Sequence, residues 1–158
     1  MKTDLTGYPA NKRTREPTLF SRIVSVADAF DAGTSVRSYQ YQPWPPDAVL
    51  KEMRDNPRRG FDPLLVKALI TATGVYPVGT LVILDSYELA VVAEVNKNPD
   101  LLHRPKVKVI SDAMGVPLAE PVLVDLGLDD PATGGPVRTI IKTTDPQKYG
   151  IRVSDYLT

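Results

Sequence analysis

The sequence predicts an α+β protein: a helical segment of about three helices over residues 1–76, then a small antiparallel β-rich subdomain over 77–158. Three observations carry this prediction. Apolar residues recur at helical spacing as far as residue 74 or so. Beyond it the chain turns to short β-branched runs separated by turn residues. The 15 prolines, about twice the usual share, are spread along the whole length and punctuate short elements.

Residues 1–17 read as loop. In Gly7-Tyr8-Pro9 the glycine tolerates positive φ and the proline fixes the next φ, so the tripeptide is turn-prone. Leu19, Ile23, Val26, Ala27 and Phe30 then repeat at helical spacing, which predicts a helix over 18–33 with Gly33 as its C′ stop. Asp28 and Asp31 are three apart and share a face of it. Pro43, Pro45 and Pro46 forbid helix in the next loop and pre-set a new start. A short helix follows from Asp47 to Asn56, with Val49, Leu50 and Met53 inward. Asn56 to Gly60 is a turn. Asp62-Pro63 supplies an N-cap and a first-turn proline to LLVKALITAT, which stops at Gly74.

Strands are expected from Thr80 to Leu84 and from Glu88 to Val95, joined by a turn at Asp85-Ser86-Tyr87. Pro105 to Ile110 is a third, with Val107 and Ile110 apolar and Lys106 and Lys108 polar. Pro121 to Val124 and Val137 to Lys142 complete the set, with a loop rich in Asp, Gly and Pro from Asp129 to Pro136. The tail from Asp145 reads as one or two helical turns that dock.

Composition bounds the function. At 158 residues the chain is one ordinary domain or two small ones, and 42% hydrophobic with 24% charged is close to globular averages. Nineteen basic residues balance nineteen acidic ones, so no net field attracts DNA, RNA or an anionic membrane. The absence of cysteine excludes disulfides, zinc ribbons and thiol catalysis, and a single histidine excludes a multi-histidine metal cage built from these residues alone. MKTDLTGYP has no apolar core of a signal peptide, and Lys67, Gly74, Pro77 and Gly79 interrupt the most apolar region, Leu64 to Leu84. The expectation is a soluble, cytoplasmic protein without membrane insertion.

Several residues invite a chemical reading. Asp28 lies among isoleucine, valine and alanine, and is either a helix carboxylate satisfied by a neighbouring loop or a metal ligand. Asp31, one turn on, is read as structural, paired with Arg22, Arg37 or a loop amide. Arg37 can grip a phosphate bidentately or bridge to Asp31 or Asp28. Tyr39 can hydrogen-bond, stack or pack in a core. Arg58-Arg59 with Lys51 and Arg54 forms a small basic patch, Trp44 reads as a loop anchor onto the helices, and His103 reads as a surface loop residue.

In order, DLTGYP, SRIVSVADAFDAGTSVRSY, PDAVLKEM and GFDPLLVKALI resemble the HD-GYP family, metal-dependent phosphohydrolases of the HD superfamily, many of which hydrolyse cyclic di-GMP in bacterial signalling. Asp4 fills the place of the aspartate three residues before the Gly-Tyr-Pro signature. Val26 to Ala32 match the VADxFDA helix, Arg37 and Tyr39 the loop after it, and Gly60 to Pro63 the next helix start. The likeness covers roughly residues 4–74, and the β-rich remainder bears a fainter likeness to a segment that often follows the catalytic domain.

The resemblance implies that the helical segment is the remnant of an all-α HD domain. It implies that Asp28 is an ancestral metal-ligand position, for Mn, Fe or Mg in the intact family. Arg37, Tyr39 and the Gly7-Tyr8-Pro9 loop would contact the substrate, a cyclic dinucleotide, with Asp4 and Asp31 structural. The family's histidine ligands lie upstream of the Gly-Tyr-Pro loop, and His103 matches none of them. The chain is therefore expected to correspond to the C-terminal portion of such a protein. It is expected to be catalytically incomplete and to hold no metal by itself. The face built from Leu19, Ile23, Val26, Phe30 and Leu65 is expected to seek a partner, either a second copy or a complementing N-terminal HD half. The alternative is a non-catalytic signalling or interaction module that binds a protein or small ligand.

Overall fold

The computed structural model describes residues 16–35 and 44–157. The chain divides into two compact units, Met1–Ala72 and Thr73–Thr158. The order is three helices followed by a five-stranded antiparallel sheet, as the patterning predicts.

Helix α1 spans Leu19–Thr34. Thr18 caps it, its side chain accepting from the Ser21 amide, which satisfies one of the orphan donors of the first turn. Gly33 is not the stop. It lies inside the last turn, and the helix ends at Ser35, whose N–H donates to the Asp31 carbonyl. The reason is packing. A Cβ at Gly33 would stand 2.9 Å from Cγ1 of Val49, so the glycine admits a close approach of the next helix.

Helix α2 spans Pro46–Asp55 with proline at its start. A 3₁₀ turn over Pro57–Arg59 follows, closed by Gly60 at φ 66°. Helix α3 spans Pro63–Thr73. Asp62 accepts from the Leu64 amide at 3.0 Å, the expected N-terminal cap. Gly74 at φ +77° ends the helix in a conformation that disfavours side chains. Val26, Val49, Met53 and Val66 form the buried core of this unit, with Phe30, Phe61, Leu65 and Leu69 packed around them. The expected unpartnered face is thereby corrected. Val26, Phe30 and Leu65 belong to the core, and of the five residues only Leu19 and Ile23 are exposed.

The sheet comprises β1 (Leu81–Leu84), β2 (Leu89–Glu94), β3 (Lys106–Ser111), β4 (Pro117–Asp125) and β5 (Ile140–Thr143), in the order β4-β3-β2-β1-β5. Strands β1 to β4 form a meander, and β5 returns to the free edge of β1. The two-residue period sends alternate side chains to opposite faces. Val82, Leu84, Ala90, Val92, Val107 and Val109 line one face, with Leu126 against them. Leu81, Leu89, Val91 and Ile110 line the other, covered by Ile151, Val153 and Tyr156. Val107 and Ile110 are thus on opposite faces, and Val109 is the partner of Val107.

The tail docks through two 3₁₀ turns, Pro146–Tyr149 and Val153–Tyr156. Two strand boundaries differ from expectation by more than one residue. β4 begins four residues early, because an edge strand tolerates Pro117 and Pro121. β5 begins three residues late, because Arg138 and Thr139 are engaged with the β1–β2 turn. No helix among the described residues is long and apolar enough to cross a membrane.

Candidate functional site

Helix α1 has two apolar faces. One carries Val26, Ala29 and Phe30 into the helical core. The other runs through Phe20, Ile23, Val24, Ala27, Asp28 and Asp31, a stripe at i, i+3, i+4, i+7, i+8 and i+11, and every member is exposed. Phe20 is 81% exposed and Val24 63%. An ordinary surface helix is polar on this side. Here the stripe is apolar at one end and ends on two carboxylates at the other.

Asp28 therefore stands on the outer face, at the boundary of the apolar stripe. Among the described residues it makes no hydrogen bond or ion pair, so its oxygens are not committed to holding the fold. Asp31 accepts from the Ser35 hydroxyl at 3.1 Å, at the C-terminal end of α1. Arg22, one of the partners expected for Asp31, goes elsewhere. Its Nη1 donates to Asp62 at 3.0 Å and ties α1 to the start of α3. One carboxylate thus caps α3 through one oxygen and binds Arg22 through the other. Arg22 Nε is buried without a partner among the described residues.

Two of the four residues of the basic patch expected around Arg58-Arg59 are ion-paired. Arg59 donates to Glu52 at 2.9 Å, and Arg54 to Asp55 at 2.7 Å. The Arg59 hydrogen bond holds the Glu52 carboxyl below its usual range. That pair lines a cavity of about 360 Å³ with Gly33, Trp44, Met53 and Phe61. Trp44 is anchored by its backbone, the N–H donating to the Gly33 carbonyl at 3.0 Å, and its side chain is half exposed.

Asp4, Gly7, Tyr8, Pro9, Arg37 and Tyr39 lie outside the described residues. Of the site positions read from the sequence, the structure thus describes Asp28 and Asp31. Among the described residues no three His, Asp or Glu side chains converge as a metal-binding group. His103 is exposed, as expected for a surface loop, and lines a second cavity, in the sheet unit. Sequence patterning missed the ion pair of Glu88 with Arg138, 2.7 Å apart across 50 residues. The only local sign was the isolated Glu88 at a hairpin turn.

No family model matches the chain, and no solved structure matches it significantly. Two curated proteins are similar to it. Over 127 residues, 80% of the chain, it is 38% identical to a cyclic di-GMP phosphodiesterase of Pseudomonas aeruginosa. Over 69 residues, 44% of the chain, it is 35% identical to a 3'3'-cGAMP-specific phosphodiesterase of Vibrio cholerae. The matched stretches span 30% and 13% of those proteins, so the chain corresponds to under a third of either relative. A match over 80% of the chain is longer than the helical unit, so likeness to the Pseudomonas protein necessarily continues into the sheet unit. The resemblance drawn from the motifs and the names of these relatives agree.

Proposed function

We propose that this chain, a relative of phosphodiesterases named for cyclic dinucleotides, is the C-terminal portion of an HD-GYP-type phosphodiesterase, with the sheet unit as its extension. The single observation that carries this reading is 38% identity over 80% of the chain to a cyclic di-GMP phosphodiesterase. The proposed reaction is hydrolysis of a cyclic dinucleotide phosphodiester. In the intact protein a divalent metal, Mn, Fe or Mg, would supply an activated water.

The residues of this chain fit one part of such a site. The Asp28 carboxylate is a hard oxygen donor, exposed and uncommitted, at the edge of an apolar face. An apolar border lowers the local dielectric once covered, and so strengthens the attraction between a carboxylate and a cation. One carboxylate is not a site, and the single histidine of the sequence cannot supply a histidine-rich remainder. We therefore assign Asp28 as one ligand whose co-ligands come from a complementing HD half. Arg37, Tyr39 and the Gly7-Tyr8-Pro9 loop would position the substrate phosphates. Asp4 would hold that loop, and Asp31 would cap the helix beneath Asp28.

The test is metal analysis and cyclic di-GMP hydrolysis by these 158 residues, alone and joined to such a half. The chain alone is expected to hold no stoichiometric Mn or Fe and to cleave nothing, while the joined protein does both. In the joined protein Asp28→Ala is expected to abolish both metal retention and cleavage. In the isolated chain the same change should alter stability by less than about 0.5 kcal/mol, as for an exposed side chain without partners. Stoichiometric metal in the isolated chain would overturn the assigned incompleteness. A joined protein that neither binds metal nor cleaves would leave the non-catalytic binding module as the better reading.

A further inference from the structure

The sheet unit carries a cavity that the phosphodiesterase reading does not use. It has a volume of about 250 Å³ and is lined by Arg104, Arg138, His103 and Thr139 together with the apolar Leu126 and Ile140. The wall is basic only in its lining, because the carboxylates that pair with its arginines, Asp129 and Glu88, stand outside it. It holds two arginines and the only histidine, and no carboxylate is among its lining residues.

Both arginines are fixed along one edge. Arg104 donates from Nε to the Leu126 carbonyl at 2.6 Å, and from Nη2 to the Leu128 carbonyl at 3.2 Å and to Asp129 at 2.8 Å. Arg138 donates from Nε and Nη2 to the two oxygens of Glu88, at 2.7 and 3.3 Å. Their side chains are only 16% and 30% exposed. In each case Nη1 has no hydrogen-bond partner among the described residues. A planar guanidinium held along one edge has little rotamer freedom left to lose when the other edge binds a ligand.

Both arginines border the same space, each with a terminal donor that no described protein group uses. Two guanidinium groups suit an anion whose oxygens can be approached from separate directions. A phosphate group offers that, whereas a carboxylate is satisfied by one fork. The volume exceeds what a phosphate fills, and Leu126 and Ile140 give apolar surface to whatever bears it. We infer that this cavity binds the phosphate group of a small phosphorylated ligand between Arg104 and Arg138, with His103 at its exposed rim. The inference does not depend on the phosphodiesterase reading.

The test is an amide-resolved NMR titration of the full chain with inorganic phosphate, guanosine monophosphate, guanosine and acetate. Phosphate or the monophosphate is expected to give saturable shifts at residues 103–104 and 138–140 in the millimolar range or below, and guanosine and acetate none. A preference for the monophosphate identifies a monoester as the ligand, and equal binding identifies the phosphate group alone. Either outcome supports the site. Arg138→Gln should weaken binding at least tenfold, while Lys148→Gln, at an exposed turn, should leave it unchanged. If Arg138→Gln loses its dispersed spectrum, Arg138→Lys and His103→Ala replace it, with weakening expected in both. No saturable shift, equal shifts with acetate, or unchanged affinity in the arginine and histidine variants would overturn the proposal.

Discussion

Glu88 lies between Ser86 and Arg138 with its side chain only 18% exposed. Burial alone would raise its pKa, but hydrogen bonds from Arg138 and Ser86 outweigh that and hold the carboxyl below its ordinary value. The folded state therefore binds fewer protons than the unfolded one, and the pair's contribution to stability rises with pH. It is fully present above the ordinary glutamate value of about 4.3 and is lost as the pH falls through the lower folded value. Asp85 is lowered in the same direction. Burial opposes the shift there too, and hydrogen bonds from the Thr139 hydroxyl and nearby amides prevail. Glu88→Gln is expected to cost the sheet unit about 1.5–3 kcal/mol at neutral pH, the range for a hydrogen bond to a charged group. Its loss of stability on acidification should be shallower than that of the parent. Urea denaturation of both proteins at pH 7 and at about pH 3, below the ordinary glutamate value, followed by circular dichroism, measures this difference. Equal slopes against pH would assign the acid sensitivity to other carboxylates.

At the scale of elements, α1 departs most from what a 16-residue surface helix should be. Its inner face packs in the helical core, and its outer face is apolar up to Asp28. Gly33 sets how closely α2 can approach it. In an open helix, replacing glycine by alanine gains about 1 kcal/mol from propensity. At Gly33 the added methyl would meet Cγ1 and Cγ2 of Val49 at 2.9 and 3.0 Å, and a β-branched side chain has little rotamer freedom with which to yield. Gly33→Ala is therefore expected to reverse the usual sign and to destabilise the helical unit by about 1–3 kcal/mol, the range for overpacking. The fluorescence of Trp44, the sole tryptophan, follows unfolding of that unit. A stabilised variant would show that α1 and α2 can separate without loss.

For the whole molecule, the outer stripe of α1 leaves large apolar side chains in water, and Leu64 in the first turn of α3 is exposed as well. Phe20 is 81%, Val24 63% and Leu64 76% exposed. Monomers rarely expose a contiguous apolar patch of more than a few hundred Å². The isolated chain is expected to self-associate with rising concentration in sedimentation velocity, and Phe20→Glu with Val24→Glu to shift it towards monomer. A parent that stays monomeric throughout the concentration range would contradict this.

The α+β class, the three helices and the alternation of the strands were legible in the sequence by itself. Those features rest on contiguous residues. Asp62-Pro63, Pro46 and Gly74 restrict their own φ and capping bonds, and period-two runs such as Leu89 to Val92 face both sides of any sheet they enter. The motif order around Asp28 was legible for the same reason.

Which of the two apolar faces of α1 is buried was decided only in three dimensions. So were the role of Gly33 and the pairing of Arg22 with Asp62 and Arg138 with Glu88, across 40 and 50 residues. The physical reason is that charge and hydrophobicity are written at each position, but their partners are chosen by packing and register. Arg104 and Arg138 stand 34 positions apart in the sequence and have no shared periodicity. Only the return of β5 to the edge of β1 makes them two sides of one cavity.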